Sequence, residues 1–154
     1  MSTNYDDIAK QNWSDIQPPT LLPLGSWELV CRAAKLVPPK SEEQKWQVLF
    51  MFQAVEPMED VSDDALAQLG EGWEDRVENI AYRTFFSTAS DKQKVKKLLV
   101  RLGVTNVDEL NVETALKAAV NGRAIGYVQQ EHFTTKGGEA GVKNAVSHFI
   151  DQAA

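Results

Sequence analysis

Residues 121–150, NGRAIGYVQQEHFTTKGGEAGVKNAVSHFI, are the stretch around which the rest of the chain is arranged. Two runs of alternating residues flank Thr134–Gly138, a connection rich in residues that tolerate tight turns. Ile125 and Tyr127 share one face of the first run, and Val128 lies on the other. This period of two, with β-branched and aromatic residues, predicts a β-hairpin. Its outer surface is predicted to combine rings with cations, through Arg123, Tyr127, His132, Phe133, Lys136 and Lys143.

Three earlier segments show a similar pattern and predict strands over residues 25–37, 45–55 and 77–87. Residues 48–52 are apolar on both faces, which is typical of a strand that is central in a closed sheet or keeps one face for a ligand. The face of this strand that points outward is left open, so Trp46 and Phe50 are not both assigned to the surface. In the first strand, one face is predicted to carry Trp27, Leu29, Cys31 and Ala33.

Helices are predicted in two places. Ser62 begins a short helix that ends at Gly70, after the second strand. After the third strand, Ser90 and Gln93 predict a capping box, and Gly103 predicts the end of that helix. Its apolar stripe consists of Val95, Leu98, Leu99 and Leu102. A further helix follows Asn111 and is predicted to bury Val112, Ala115, Leu116, Ala119 and Val120.

The resulting order is three strands, two helices and a hairpin, with an acidic excursion after the second strand. This is the chain order of the five-stranded Greek-key OB-fold barrel, so the predicted class is mainly β with helices (α+β). At 154 residues the chain fits one domain. We expect an extended N-terminal arm over 1–24, the OB-fold domain over 25–150 and a short tail over 151–154, and the sequence leaves open whether the arm is exchanged between subunits.

Composition favours a cytoplasmic protein. Cys31 is the single cysteine and follows two apolar residues, which predicts a small buried side chain in a reducing compartment. No apolar run approaches the roughly 20 residues of a membrane span, and the N-terminus lacks the pattern of a signal peptide.

Charge is distributed unevenly along the chain. The net charge is −6, but residues 56–78 contain nine carboxylates and one arginine, so this acidic segment carries −8 and the rest carries +2. An acidic insert beside a mildly basic body is compatible with a basic groove on an acidic protein.

Motifs of catalysis and metal binding are missing from the sequence, which contains no HExxH, CxxC, GxSxG or GxxxxGK. His132 and His148 lie 16 residues apart with no cysteine or third histidine nearby, so neither a metal nor a cofactor is predicted. Glu43-Gln44-Lys45 matches the end of a metal-dependent nuclease motif, but that motif needs an aspartate on the preceding strand, and residues 25–37 have none. We therefore expect a protein that is not an enzyme.

Aromatic residues alternate with bases along the predicted strands, a pattern suited to single-stranded nucleic acid. Rings stack on bases of any sequence, and cations follow the phosphate backbone. Core packing is the ordinary role of a strand aromatic, and Phe50, Phe52, Phe86 and Phe149 are assigned to the core. The candidate binding residues are Arg32, Lys35, Lys45, Trp46, Arg83, Phe85, Arg123, Tyr127, Phe133 and Lys136.

Four segments carry a resemblance to a family: residues 25–29 (GSWEL), 80–85 (IAYRTF), 98–103 (LLVRLG) and 121–128 (NGRAIGYV). Together they resemble the phage OB-fold proteins that bind single-stranded DNA and accompany replication or recombination genes. The resemblance implies a ligand that crosses the face of strands one to three and is clasped by the Thr134–Gly138 loop. It also implies the host cytoplasm as the location.

Partners follow from the same resemblance. Single-stranded DNA is the expected ligand. Many such proteins recruit partners through an acidic tail, whereas this sequence ends Asp151-Gln-Ala-Ala, so either the acidic segment recruits replication or recombination proteins or such recruitment is absent. The alternative is an OB-type protein-interaction or phage structural module that binds no nucleic acid. A homo-oligomer and a preference for DNA or RNA are left open.

Overall fold

The computed structural model describes residues 20–42 and 44–150. Its strands are β1 (Gly25–Val37), β2 (Gln47–Pro57), β3 (Ile80–Phe85), β4 (Arg123–Thr134) and β5 (Ala140–Ile150). Its α-helices are α1 (Asp63–Leu69), α2 (Ala89–Arg101) and α3 (Val112–Ala118), with short 3-10 turns at Trp73–Asp75 and Val107–Glu109. The predicted arm falls largely on residues 1–19, and the predicted tail on 151–154, outside the described residues.

All five strands belong to one antiparallel sheet with the order β3-β2-β1-β4-β5. β1 pairs with both β2 and β4, while β2 pairs with β3 and β4 pairs with β5. This is the pairing of an OB-fold, and it confirms the predicted fold class. The edge strands β3 and β5 meet through an edge-to-face contact between Tyr82 and Phe149, whose ring centroids lie 5.1 Å apart. The barrel is therefore partly open along this seam.

The core fills the inside of this curled sheet and is closed by α2 and α3. Trp27, Phe50 and Phe52 are fully buried. The predicted stripe of α2 is confirmed, and Ala115, Leu116 and Ala119 pack beside it. Val112 and Val120 were wrongly assigned to the core, with 41% and 36% of their surfaces exposed. Val112 is the first residue of α3, and Val120 follows its C-cap, Ala119.

The capping box of α2 differs from the predicted one. Thr88 is the N-cap: its hydroxyl accepts the Asp91 N–H at 3.1 Å, and the Asp91 carboxylate accepts the Thr88 N–H at 3.1 Å. The prediction of Ser90 and Gln93 was wrong because the helix begins at Ala89, directly after an extended Thr88. At the other end, Gly103 has a φ of +91°, and its N–H donates to Val100 O while Val104 N–H donates to Leu99 O. This Schellman motif confirms the predicted stop.

A β-bulge in β1 changes which residues face outward. Cys31 pairs with Phe52 but Ala33 pairs with Met51, so Arg32 is the extra residue. Alternation therefore holds from Trp27 to Cys31 and then shifts by one. The prediction that Ala33 shares the face of Cys31 was wrong, because a bulge leaves no trace in a simple period of two.

Beyond the sheet, the acidic segment (residues 56–78) is tied to the start of β1. The Ser26 N–H and hydroxyl donate to the two carboxylate oxygens of Asp60, at 2.9 and 2.8 Å. Gly25 has a φ of +141° and lies against Val61, so a side chain there would be both strained and blocked. As predicted, Ser62 caps α1 through the Ala65 N–H. In the part of the chain that the structure describes, no helix is long and apolar enough to cross a membrane.

Candidate nucleic-acid interface

The outer face of β1, β2 and β3 carries cations and rings in register. Residues directly opposite one another in paired strands project to the same side of the sheet. Lys35 lies opposite Leu49, which lies opposite Arg83, so two cations flank one leucine in a row across the three strands. The next row is Val37, Gln47 and Phe85, and we call these two rows the cationic face.

Apolar residues form the floor between these cations. Leu49 is only 8% exposed although it points away from the core, and its cross-strand neighbours are Lys35 and Arg83, residues whose aliphatic stems commonly lie along apolar surface. Met51, in the adjacent row, is half-buried. The inward residues of β2, Val48 and Phe50, are fully buried. The strand is thus apolar on both sides for different reasons: one side fills the barrel, and the other underlies the cationic face.

An open cleft of about 540 Å³ lies at one end of the cationic face. The β1–β2 loop forms one wall through Pro39 and Lys40, and Lys45 stands beside it. Arg83 and Phe85 form the opposite wall. Phe85 is 52% exposed, which is unusual for phenylalanine and leaves its ring accessible. The cleft thus places a ring among three cations, the arrangement that an unpaired base with its phosphates requires.

The hairpin places a second ring and cation beyond the other end of β3. Phe133 lies directly opposite Gly141, and a Cβ atom at Gly141 would collide with the Phe133 ring. Glycine therefore lets the ring lie flat on the neighbouring strand, and Lys143 Nζ lies 5.8 Å from the ring centroid. Phe133, Lys143 and Ala81 line a cleft of about 350 Å³.

Both clefts border β3. We call the two clefts and the surface of β3 between them the path. Ala81, Arg83 and Phe85 project from the same side of the strand, Ala81 into the hairpin cleft and the other two into the loop cleft. At about 3.3 Å per residue, Ala81 and Phe85 lie roughly 13 Å apart. Glu78 also borders the hairpin cleft, so the path is less positive at that end.

Electrostatics differ along the path. Within residues 20–42 and 44–150, no ion pair engages Lys35, Lys40, Lys45 or Arg83. Asp91 is a carboxylate whose charge interacts with that of Lys45. Its pKa is lowered chiefly by the hydrogen bond from the Thr88 N–H and to a smaller extent by the charge of Lys45. Because that carboxylate is committed to the cap of α2, these four cations keep most of their charge without an ion-pair partner in the part of the chain that the structure describes.

The predicted cations Arg32 and Arg123 lie elsewhere and have partners within the protein. Arg32 donates from Nε to Gln53 Oε1 at 2.7 Å, and its guanidinium lies 3.4 Å from Asn121 Oδ1. Arg123 forms an ion pair of 3.4 Å with Glu28 across β1 and β4. The structure therefore does not bring these two arginines into the rows of Lys35 and Arg83.

Three predicted residues have mixed positions. Tyr127 faces outward on β4, on the other side of β1 from β2, and stacks on His148 with the ring centroids 5.4 Å apart. Trp46 is 45% exposed, but its carbonyl accepts the Phe86 N–H and its side chain does not line either cleft. Lys136 lies exposed in the hairpin loop. The path thus combines Lys35, Lys45, Arg83, Phe85 and Phe133, with Lys136 beyond its end.

The candidate residues named from the sequence included neither Lys40 nor Lys143, although the two line the clefts. Lys40 follows two prolines and was treated only as part of a strand break, although loops between strands one and two border the ligand groove of OB-folds. Lys143 was assigned to the hairpin surface but not to the site. Its position over Phe133 depends on the pairing register, which the sequence does not give.

Alternative chemistry finds little support in the described part of the chain. It contains no group of three or more His, Cys, Asp or Glu side chains placed to hold a metal ion. Glu43 of the nuclease motif lies outside the described residues. Cys31 is buried as predicted, and burial raises the pKa of its thiol, which donates to Ala33 O at 3.4 Å. A thiol in this state is a weak nucleophile.

Comparisons with known proteins identify no family for this chain. No protein-family profile matches the chain, and no curated protein sequence matches it. Among solved structures, the chain is similar to yeast RPA bound to ssDNA, with a TM-score of 0.41 and 7% sequence identity. This alignment covers 100% of this chain and 89% of that chain. At such a distance the similarity carries no argument about function.

Proposed function

We propose that this protein binds single-stranded DNA without sequence preference, along the path from the β1–β2 loop across β3 to the hairpin. The observation that carries the proposal is the exposed Phe85 ring beside Lys45 and Arg83, which have no ion-pair partner within residues 20–42 and 44–150. A sequence-independent ligand suits this surface, because rings accept any base and ammonium groups accept any phosphate.

Binding is the whole of the proposed activity, with no catalytic step. Each base stacked on a ring contributes about 1–3 kcal/mol. Each neutralised phosphate contributes a salt dependence of about −0.7 in the slope of log K against log salt for a single strand. With Lys35, Lys40, Lys45 and Arg83 engaged, we expect a slope near −3.

The test is an anisotropy titration of a labelled oligo-dT at several salt concentrations. Replacing Lys45 and Arg83 by alanine should weaken binding. The slope of log K against log salt should become shallower by about 1.4, which corresponds to two neutralised phosphates. Lys117→Ala is the matched control, since Lys117 lies on α3 and pairs with Glu113. Absence of binding by the wild-type chain at low salt would refute the proposal.

A phage setting is the finer part of the proposal and rests on the sequence resemblance to phage single-stranded-DNA-binding proteins. In that setting the protein would coat strands exposed during replication or recombination. The second candidate is a protein-interaction module, which the exposed carboxylates of the acidic segment favour. If the protein does not bind oligo-dT but captures a specific protein from a phage-infected lysate, that candidate is supported instead.

A further inference from the structure

The acidic segment presents a concentrated negative surface that the fold itself does not neutralise. All nine of its carboxylates are exposed: Glu56, Glu59, Asp60, Asp63, Asp64, Glu71, Glu74, Asp75 and Glu78. Its one base, Arg76, donates to the backbone carbonyls of Leu69 and Glu71, at 2.6 and 3.1 Å, rather than to a carboxylate. None of the ion pairs in the described residues includes an acid of this segment.

Helix α2 presents the opposite surface. Five cations and one carboxylate lie on its 13 residues, and that carboxylate, Asp91, is committed to the N-terminal cap. Lys96 pairs with Asp108, while Lys94 and Lys97 are exposed and form no ion pair in the part of the chain that the structure describes. Like charges three or four residues apart on a helix repel each other and destabilise it. An external anionic surface would remove that cost.

These two surfaces lie at opposite ends of β3. The acidic segment ends at Glu78, just before the strand begins, and α2 starts just after the strand ends. Six residues of strand span roughly 20 Å, which exceeds the Debye length of about 10 Å at 0.1 M salt. The acidic segment is also bonded to the opposite end of β1 from the β1–β2 loop, through Ser26 and Asp60. The two surfaces therefore do not neutralise each other within one molecule.

We propose that the acidic segment of one copy docks on the basic face of α2 in the next copy. Charge complementarity favours a second copy as the occupant, because each chain carries both surfaces and needs no further partner. Two different patches in contact form a heterologous interface, which generates open head-to-tail chains unless the rotation closes a ring. The cationic face contributes to neither surface, so such a row of copies would leave it open along its length.

Self-association without DNA is the direct measurement, and it does not depend on the proposed function. Sedimentation velocity of the full chain at about 50 mM salt should give a sedimentation coefficient that rises with concentration, and about 500 mM salt should restore the monomer. A wild-type chain that stays monomeric at low salt would overturn the proposal, and the α2 cations would then serve phosphates or an acidic partner protein.

Charge reversal identifies the two surfaces. Lys94→Glu with Lys97→Glu should abolish association, and so should Glu71→Lys with Glu74→Lys, which spares the first turn of α1. Mixing the two variants should restore it, because each then supplies the charge that the other lacks. Lys117→Glu with Lys136→Glu changes the net charge by the same amount as the α2 variant and should still associate. Failure of the mixture to associate, with both variants folded by circular dichroism, would contradict the proposal.

Discussion

The two sides of β1 carry the same kinds of side chain but leave them in different states. On the β2–β3 side, Lys35 and Arg83 flank Leu49 and have no ion-pair partner in the described chain. On the β4–β5 side, Arg123 pairs with Glu28 and Tyr127 stacks on His148. In the sequence, both sides show the same pattern of aromatic residues close to basic residues. Only the first keeps them available to a ligand.

This difference shows that residue type is a weaker guide to a binding surface than the partners that a side chain already has. A stacked ring must first be separated from its neighbour before a base can replace it. An arginine in an ion pair gains less from a phosphate, since it exchanges one anion for another. We therefore expect the energetic effect of substitutions to separate cleanly between the two sides.

The largest expected effect compares the two rings. Phe85→Ala should weaken oligo-dT binding roughly 5- to 150-fold, since one base stacked on a ring is worth about 1–3 kcal/mol. Tyr127→Ala should change the affinity less than about twofold, because the Tyr127 ring already stacks on His148. Anisotropy titrations of both variants at the same salt concentration make the comparison. Equal losses for the two variants would show that the ligand covers both sides of β1.

A smaller effect is expected at the hairpin. Gly141→Ala places a methyl group where the Phe133 ring lies and should displace the ring, so affinity should fall roughly fivefold, the lower limit for one stack. Gly137→Ala is the control, because a Cβ atom there meets only Thr135 Oγ1, at an ordinary 3.8 Å. If both variants bind as the wild type does, the hairpin ring lies outside the path.

The topology could be predicted from the sequence because its signals are local. Turn residues, helix stripes and alternation each occupy a few consecutive residues, and their order already specifies an OB-fold. The capping box of α2 was misplaced by two residues, since Thr88 and Ser90 both offer a hydroxyl with a polar residue three positions later. Such pairs are distinguished by where the backbone leaves the strand, which is a property of the folded chain.

The site could be predicted only in part, because it depends on register. Arg83 and Phe85 were named as candidates from the pattern of β3 alone, and the structure places both on one wall of a cleft. The row that joins Lys35 to Arg83 exists because the bulge at Arg32 shifts the alternation of β1. Likewise, nothing in the order of residues indicates that Glu28 reaches Arg123, which is 95 positions away. Contacts across strands set which cations remain available, and they follow from the assembled sheet.

The ion pair on the β4–β5 side provides a test in stability rather than binding. Arg123 and Glu28 are 55% and 22% exposed, so their coupling should be only about 0.2–1 kcal/mol. A double-mutant cycle with Arg123→Ala and Glu28→Gln, followed by urea unfolding, measures it. Neither variant should change the oligo-dT affinity. Tighter binding by Glu28→Gln would mean that a released Arg123 reaches the ligand and that the two sides of β1 form one surface.

Asp91 is a carboxylate that makes the cations of the β2–β3 side less available, because its charge interacts with that of Lys45. Its pKa is lowered in the folded protein, mainly by the Thr88 N–H, so its contribution to stability is present above the unfolded pKa and is lost as pH falls through the folded value. Asp91→Asn should therefore flatten the acidic limb of a plot of melting temperature against pH. Removing the charge should also raise oligo-dT affinity about twofold at low salt, a small effect because this exposed pair is screened by solvent. Ser90→Ala keeps the Asp91 charge and should leave both measurements unchanged. An unchanged affinity in Asp91→Asn would mean that Lys45 contacts no phosphate, which would move the path off the β1–β2 loop and onto Arg83 alone.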